Sequence, residues 1–300
     1  MISTDDWLPC SVRSREREDP LIATAGRGER WFLVEIDGSW GTHAFLESRL
    51  DPGLAKRLVT RIERAGIRPL AIRRTGRRAR QRRAQSSYAW ALVDARPGRE
   101  QIRWGRAQDQ AELLTVPLDG SAGVASSEPV ICVCTHARHD QCCAVHGRPL
   151  VAAFAHEYPD LTWECSHLGG DRFAATMMVF PEALMFGRVG AEDARGLYER
   201  YRAGRIDPRH FRGRASLSNV AQAAQAFAAQ SSGDDRIAAY LPIAELPGTD
   251  GGWTVELDHE SAPVVVQVGA IQSEPLLSTC RATHAAPVRE FTLRSIRPAG

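Results

Sequence analysis

The chain has 300 residues, 43% of them hydrophobic and 25% charged, enough for two domains of ordinary size that bury their cores without disulfides or metals. A formal net charge of +2 is too small to imply a polyanionic partner, and no stretch approaches the roughly 20 apolar residues of a membrane span. The N-terminus MISTDDWLPC is acidic and polar where a secretory leader is basic and then apolar, so a cytoplasmic protein is expected.

The first third reads as β-α-β. WFLVEI (31–36) is a buried-strand pattern, and DPGLAKRLVTRIERAG (51–66) is an amphipathic helix with Asp51 as cap, Pro52 in the first turn and Leu54, Leu58 and Ile62 as its apolar stripe. PLAIRR (69–74) is the next strand, and SYAWALVDA (87–95) and QIRWGRA (101–107) are two more, joined by a Pro-Gly turn. The arginine run RRTGRRARQRRAQSS (73–87) has no interleaved aromatics, so it reads as a solvated loop or hairpin before a docking patch, and nucleic acid is not an expected partner. LDGSAGVASSE (118–128) is the best linker candidate.

A second unit opens with PVICVC (129–134). It continues with a helix at 147–158, strands at 161–167, 175–180 and 184–189, and a helix at 191–204, an order that suggests a small mixed sheet with helices on its faces. Beyond it, NVAQAAQAFAAQ (219–230) is a strong helix former, and WTVELD, APVVVQVGA and REFTLRSI (253–258, 262–270, 289–296) look like strands of a terminal sheet.

CVCTHARHDQCC (132–143) holds four of the seven cysteines, an odd total that in a reducing compartment points to metal binding or redox chemistry over structural disulfides. Alternation along the strand puts Cys132 and Cys134 on one face; Cys132 lies deeper and reads as core, whereas Cys134 ends the strand, where open α/β sheets place their ligands. Side chains of the adjacent Cys142 and Cys143 diverge, so one of them is a bystander. The complement is WECSHLGGDRFA (163–174), where a Gly169-Gly170 turn can aim His167 and Asp171 into one cavity. Asp140 is expected to brace the loop through backbone amides, and Arg172 to form a salt bridge or face solvent. His136 and His139 are either donors around the site or simply solvated. Cys165, two residues before His167, is a core cysteine or an alternative ligand, and Cys10 and Cys280 stand alone and are expected to be inert.

Three chemistries fit this set. Zinc sites favour shorter spacings than C-x8-C, and a thiol-disulfide centre favours C-x-x-C over a strained vicinal pair. An iron-sulfur cluster accepts thiolates on one iron and imidazole on the other.

CTHARHDQCCAVHGRPL and WECSHLGGDRFAATMMVFPEALMFGRV, supported by EDPLIATAG, WFLVE, GSWGTHAFLESRLDP and GIRPLAIRR, resemble the sucrase/ferredoxin-like family from about Cys10 to Gln225. The resemblance implies a thioredoxin-like ferredoxin domain with a 2Fe-2S cluster, held by two cysteines of a C-x8-C loop and two histidines of an HxGGH turn. On this chain the cysteines are Cys134 and Cys143 and the first histidine is His167, while Asp171 stands where the second histidine would be, with Cys142, Cys165 and His139 as substitutes. The expected architecture is α/β: an N-terminal α/β domain (1–124), whose β-α-β start permits a second thioredoxin-like unit, the ferredoxin domain (125–215), and a C-terminal helix and β extension (216–300). The expected function is electron transfer, with a reductase and an acceptor protein that the sequence does not name. A zinc-stabilised or metal-free binding module and a thiol-dependent oxidoreductase are the alternatives. Sucrase activity gets no support, because no pair of carboxylates is nominated for it.

Overall fold

The structure is a computed structural model and describes residues 8–76 and 87–299. Residues 77–86 of the arginine run, whose solvated or docking role the sequence leaves open, lie outside the described residues. Among the described residues, ten strands form one mixed sheet: β1 (Arg30–Glu35), β2 (Arg68–Arg73), β3 (Tyr88–Asp94), β4 (Gln101–Ala107), β5 (Val124–Ser126), β6 (Val130–Cys134), β7 (Thr162–Cys165), β8 (Met177–Phe180), β9 (Leu184–Phe186) and β10 (Phe211–Arg214). Their order is β10-β9-β8-β6-β7-β2-β1-β3-β4-β5. A second sheet of four antiparallel strands, β11 (Leu241–Pro247), β12 (Trp253–Asp258), β13 (Val264–Gln272) and β14 (Arg289–Pro298), closes the chain.

The large sheet repeats one pattern. In the first half β1 runs parallel to β2 and antiparallel to β3, which pairs antiparallel with β4. In the second half β6 runs parallel to β7 and antiparallel to β8, which pairs antiparallel with β9. The halves join where β2 pairs antiparallel with β7 at Ile72↔Cys165 and Arg73↔Glu164, and the Arg73–Glu164 ion pair at 2.6 Å lies on this seam.

Helices cover the outer face. Helix α1 (Cys10–Glu16) precedes the sheet, α2 (Pro52–Arg64) packs Leu54, Ala55, Leu58 and Ile62 on the first half, and α3 (Gln141–Glu157) and α4 (Ala194–Arg202) pack on the second. The other face holds a core shared by both halves, including Trp31, Leu33, Ile72, Val93, Cys132, Trp163, Met178 and Phe180. Four strand steps at about 4.8 Å would put β1 and β8 about 19 Å apart in a flat sheet. Trp31 and Phe180 nevertheless touch, with ring centroids 5.7 Å apart, and Trp104 stacks on Trp163 across the same number of steps at 5.5 Å. The sheet therefore curls around its own core. Helix α5 (Asn219–Ser232) carries alanines against Val255, Leu257, Val266 and Val268 of the terminal sheet.

Several boundaries differ from the sequence reading. Helix α3 starts at Gln141, not at 147, because Asp140 caps it; Gly147 and Pro149 look like a helix start but lie inside. Residues 118–128, expected to be a linker, contribute β5, which pairs with β4. Strand β10 was hidden by Arg212 and Arg214, charged residues that are each 2% exposed. Strand β11 has weak alternation and little burial, and α1 is short. No helix among the described residues is long and apolar enough to cross a membrane.

Candidate metal centre

Three segments meet at the C-terminal end of β6. Cys134, its last residue, is fully buried. The loop 135–140 folds back, and Asp140 Oδ1 accepts from Cys142 N at 2.8 Å, which starts α3 and sets Cys143 in its first turn. Helix and strand approach so closely that a Cβ on Gly147 would overlap Cys134 O. Opposite, the chain leaves β7 and turns through Gly169 and Gly170, at φ of 92° and 81°, before Asp171 opens a single 3-10 turn, Asp171–Phe173.

Arg212 of β10 holds that turn. Its buried guanidinium donates to Gly169 O at 2.8 Å, Thr24 O at 2.6 Å and Thr24 Oγ1 at 3.0 Å. The local sequence RHFRGR (209–214) carries no sign of this role, because the partners of Arg212 lie 43 and 188 positions away. Arg172 forms the salt bridge expected of it, with Asp19 at 3.2 Å.

The ligand atoms of Cys134, Cys143 and His167 lie within 4.8 Å of one another, as do those of His139, His167 and Asp171. The Cys143 thiol donates to Asp171 Oδ1 at 3.1 Å. His167 Nδ1 is buried 3.0 Å from the same oxygen, within ion-pair range but without the alignment of a hydrogen bond. A metal ion bound there would take the place of the proton that His167 Nδ1 otherwise directs at Asp171. That nitrogen, two buried sulfurs and a buried carboxylate make a donor set that fits a thiophilic metal or cluster.

Charge is distributed accordingly. Cys143, then His167, pulls the Cys134 thiol well below its usual range against the effect of burial, and the Cys143 thiol is pushed up in turn. Burial drives the His167 imidazolium down, but Asp171 and Cys134 outweigh it and hold the group up at about 9. Burial likewise opposes ionisation of Asp171, and His167 overcomes it, so the carboxyl stays below its ordinary value. The metal-free centre thus favours the charged forms of Cys134, Asp171 and His167, each supporting the others.

His139 stacks on His167 with ring centroids 3.7 Å apart, and its Nε2 lies 3.8 Å from Asp171 Oδ2. His136 has a fixed tautomer: its Nδ1 accepts from His167 N at 3.3 Å, so Nε2 carries the proton and donates to Gly41 O at 2.7 Å. A cavity of about 410 Å³ opens here, lined by His43, Phe45 and Val59 of the first half and by His136, His139 and His167.

All four favoured residues, Cys134, Cys143, His167 and Asp171, thus come together, and His139 joins them. Cys165 instead lies beside Cys132 in the shared core. Cys142 diverges from Cys143, as adjacent side chains on a helix do, and it meets Cys10 and Cys280. Those two cysteines are not isolated: the Sγ atoms of Cys10 and Cys280 lie 3.7 Å and 3.3 Å from Cys142 Sγ. The separations of 132 and 138 positions explain why no local pattern disclosed the group.

A family model described as sucrase/ferredoxin-like matches residues 21–213. No curated protein and no solved structure matches the chain. The matched span runs from before β1 into β10 and includes Cys134, Cys143, His167, Asp171 and Arg212. The chain therefore belongs to the sucrase/ferredoxin-like family.

Proposed function

We propose that this protein is a cytoplasmic electron carrier that binds a 2Fe-2S cluster through Cys134, Cys143, His167 and Asp171. The convergence of two thiols, an imidazole and a carboxylate from three separate segments on one buried spot carries this reading. The order β6-α3-β7-β8-β9-α4 is the small mixed sheet with helices expected from the sequence, and its repetition by β1-α2-β2-β3-β4 supports reading both halves as units of one kind, thioredoxin-like as the resemblance implies.

A bound cluster supplies a one-electron redox centre. Cys134 already favours the thiolate, whereas the Cys143 thiol, which donates to Asp171 Oδ1, and the His167 imidazolium would each release a proton to solvent on binding. His167 as a neutral ligand lowers the negative charge of the centre and raises its potential, and Asp171 as an anionic, harder ligand acts in the opposite direction. Water is kept from Cys134, Cys143 and Asp171, each at most 1% exposed. The side chains of His167 and His139 are 25% and 35% exposed, so a reductase and an acceptor would exchange electrons at this histidine face.

A single zinc ion is the second reading, favoured by the 3.1 Å spacing of Cys143 and Asp171, which suits donors gathered around one ion. Anaerobic purification with iron and sulfide analysis, visible absorption and EPR after dithionite separates the two. Two irons, two sulfides and a band bleached by dithionite are expected, with Asp171→His retaining the cluster at least as well as the natural residue and Asp171→Ala losing it. Absence of iron and sulfide from isolated and reconstituted protein, together with zinc lost in Cys134→Ser, decides for zinc.

A further inference from the structure

We infer that the chain has a second metal centre, a zinc site made by Cys10, Cys142, Cys280 and Asp140. It is separate from the candidate cluster site, although Cys142 and Cys143 are neighbours, and it rests on different observations.

Four side chains that are far apart in sequence gather here. Cys10 begins α1, Asp140 and Cys142 cap and open α3, and Cys280 lies in the loop between β13 and β14. Their ligand atoms fall within 4.8 Å of one another. The three sulfurs form a triangle with edges of 3.3 Å (Cys142–Cys280), 3.5 Å (Cys10–Cys280) and 3.7 Å (Cys10–Cys142). Tetrahedral zinc with Zn–S near 2.3 Å requires S···S edges of about 3.8 Å, so a slight expansion seats the ion. A disulfide would need one edge to shrink to about 2.05 Å and would leave the third thiol unpaired.

The fourth corner is a carboxylate that is already oriented. Asp140 Oδ1 is engaged by Cys142 N at 2.8 Å, and Oδ2 accepts from Cys280 N at 2.7 Å while lying 3.9 Å from Cys10 Sγ. Bonds to ligating carboxylates and thiolates of this kind fix a metal's donors in place. The sulfurs have their own supports: Cys10 N points to Cys280 Sγ at 3.4 Å, and Ser11 Oγ donates to Cys142 Sγ at 3.3 Å. Cys10, Asp140 and Cys142 are at most 2% exposed, whereas Cys280 is half-buried and offers the route of entry. Three soft sulfurs and one oxygen in a closed arrangement suit zinc, a borderline-soft ion without redox chemistry, in a structural role. Binding displaces the thiol protons and ties α1, the start of α3 and the terminal sheet together.

Metal analysis of the full-length protein tests this. About one zinc per chain is expected in wild type and in Cys134→Ser, which removes a donor of the first centre. Cys10→Ser and Cys280→Ser should lower zinc roughly tenfold or more while leaving iron and sulfide unchanged, and Asp140→Asn should weaken zinc binding in the same direction. Cobalt added to metal-free wild type should give thiolate-to-cobalt charge transfer and the intense visible bands of a tetrahedral ion. A readout that needs no variant is peptide mapping after alkylation, in which zinc slows modification of Cys10, Cys142 and Cys280 together. The inference is overturned by wild type that takes up neither zinc nor cobalt, by zinc content equal in wild type, Cys10→Ser and Cys280→Ser, or by a disulfide joining two of the three cysteines in protein purified anaerobically. Loss of iron in Cys134→Ser with zinc retained keeps the two centres distinguishable.

Discussion

Gly170 and Arg212 show how much of the candidate centre depends on residues that donate nothing to a metal. A Cβ on Gly170 would overlap the guanidinium that holds Gly169 O, and the residue also sits at φ 81°. Gly170→Ala should destabilise the fold by about 3 kcal/mol, the left-handed backbone cost plus a disturbed charged hydrogen bond, and should lower metal content. Gly169→Ala, with open space around its Cβ, should cost only about 1–2 kcal/mol. Denaturant titration of both variants checks this, and equal losses would show that Arg212 does not set the turn. For His136, nitrogen-15 NMR at neutral pH should show the proton on Nε2; an Nδ1–H form would contradict its bonds to His167 N and Gly41 O.

The terminal sheet is fastened to its surroundings by an ion cluster as well as by apolar packing. Asp234, just after α5, accepts from Arg236 Nε at 2.9 Å and lies 3.0 Å from Nε2 of His259, just after β12. Arg236 chiefly, and then His259, holds the Asp234 carboxyl below its usual 3.8. Because the folded value is depressed, this stabilisation is complete above about pH 4 and is lost as pH falls through the carboxylate range. Asp234→Asn should therefore cost about 1 kcal/mol at neutral pH and progressively less toward pH 3, as followed by denaturant melts. A difference that does not depend on pH would mean that ionisation of Asp234 contributes nothing. Helix α2 was legible because cap, first-turn proline and apolar stripe are all local. Helix α3 was only half legible, because Gly147 and Pro149 imitate a helix start although the cap, Asp140, lies earlier in the chain.

The curled sheet makes the two halves share one core, so they are expected to unfold together. Trp163→Ala removes the stack on Trp104 and should cost about 3–5 kcal/mol. Hydrogen exchange should then accelerate in β3 as well as in β8, whereas a loss confined to the second half would show independent units. Strands β1, β3, β6 and β8 were readable from the chain because each is a continuous apolar run between turns, and Cys134, His167 and Asp171 were readable because each lies at a strand end or a glycine turn. Those are short-range properties, set by backbone geometry and burial along a few residues. The β2–β7 seam, the burial of Arg212 and Arg214, the choice of Cys143 over Cys142 by orientation, and the meeting of Cys10 with Cys142 and Cys280 are contacts between segments distant in sequence. Periodicity carries no information about which distant segments will meet, so these features were settled only when the sheet curled and its loops closed over one end.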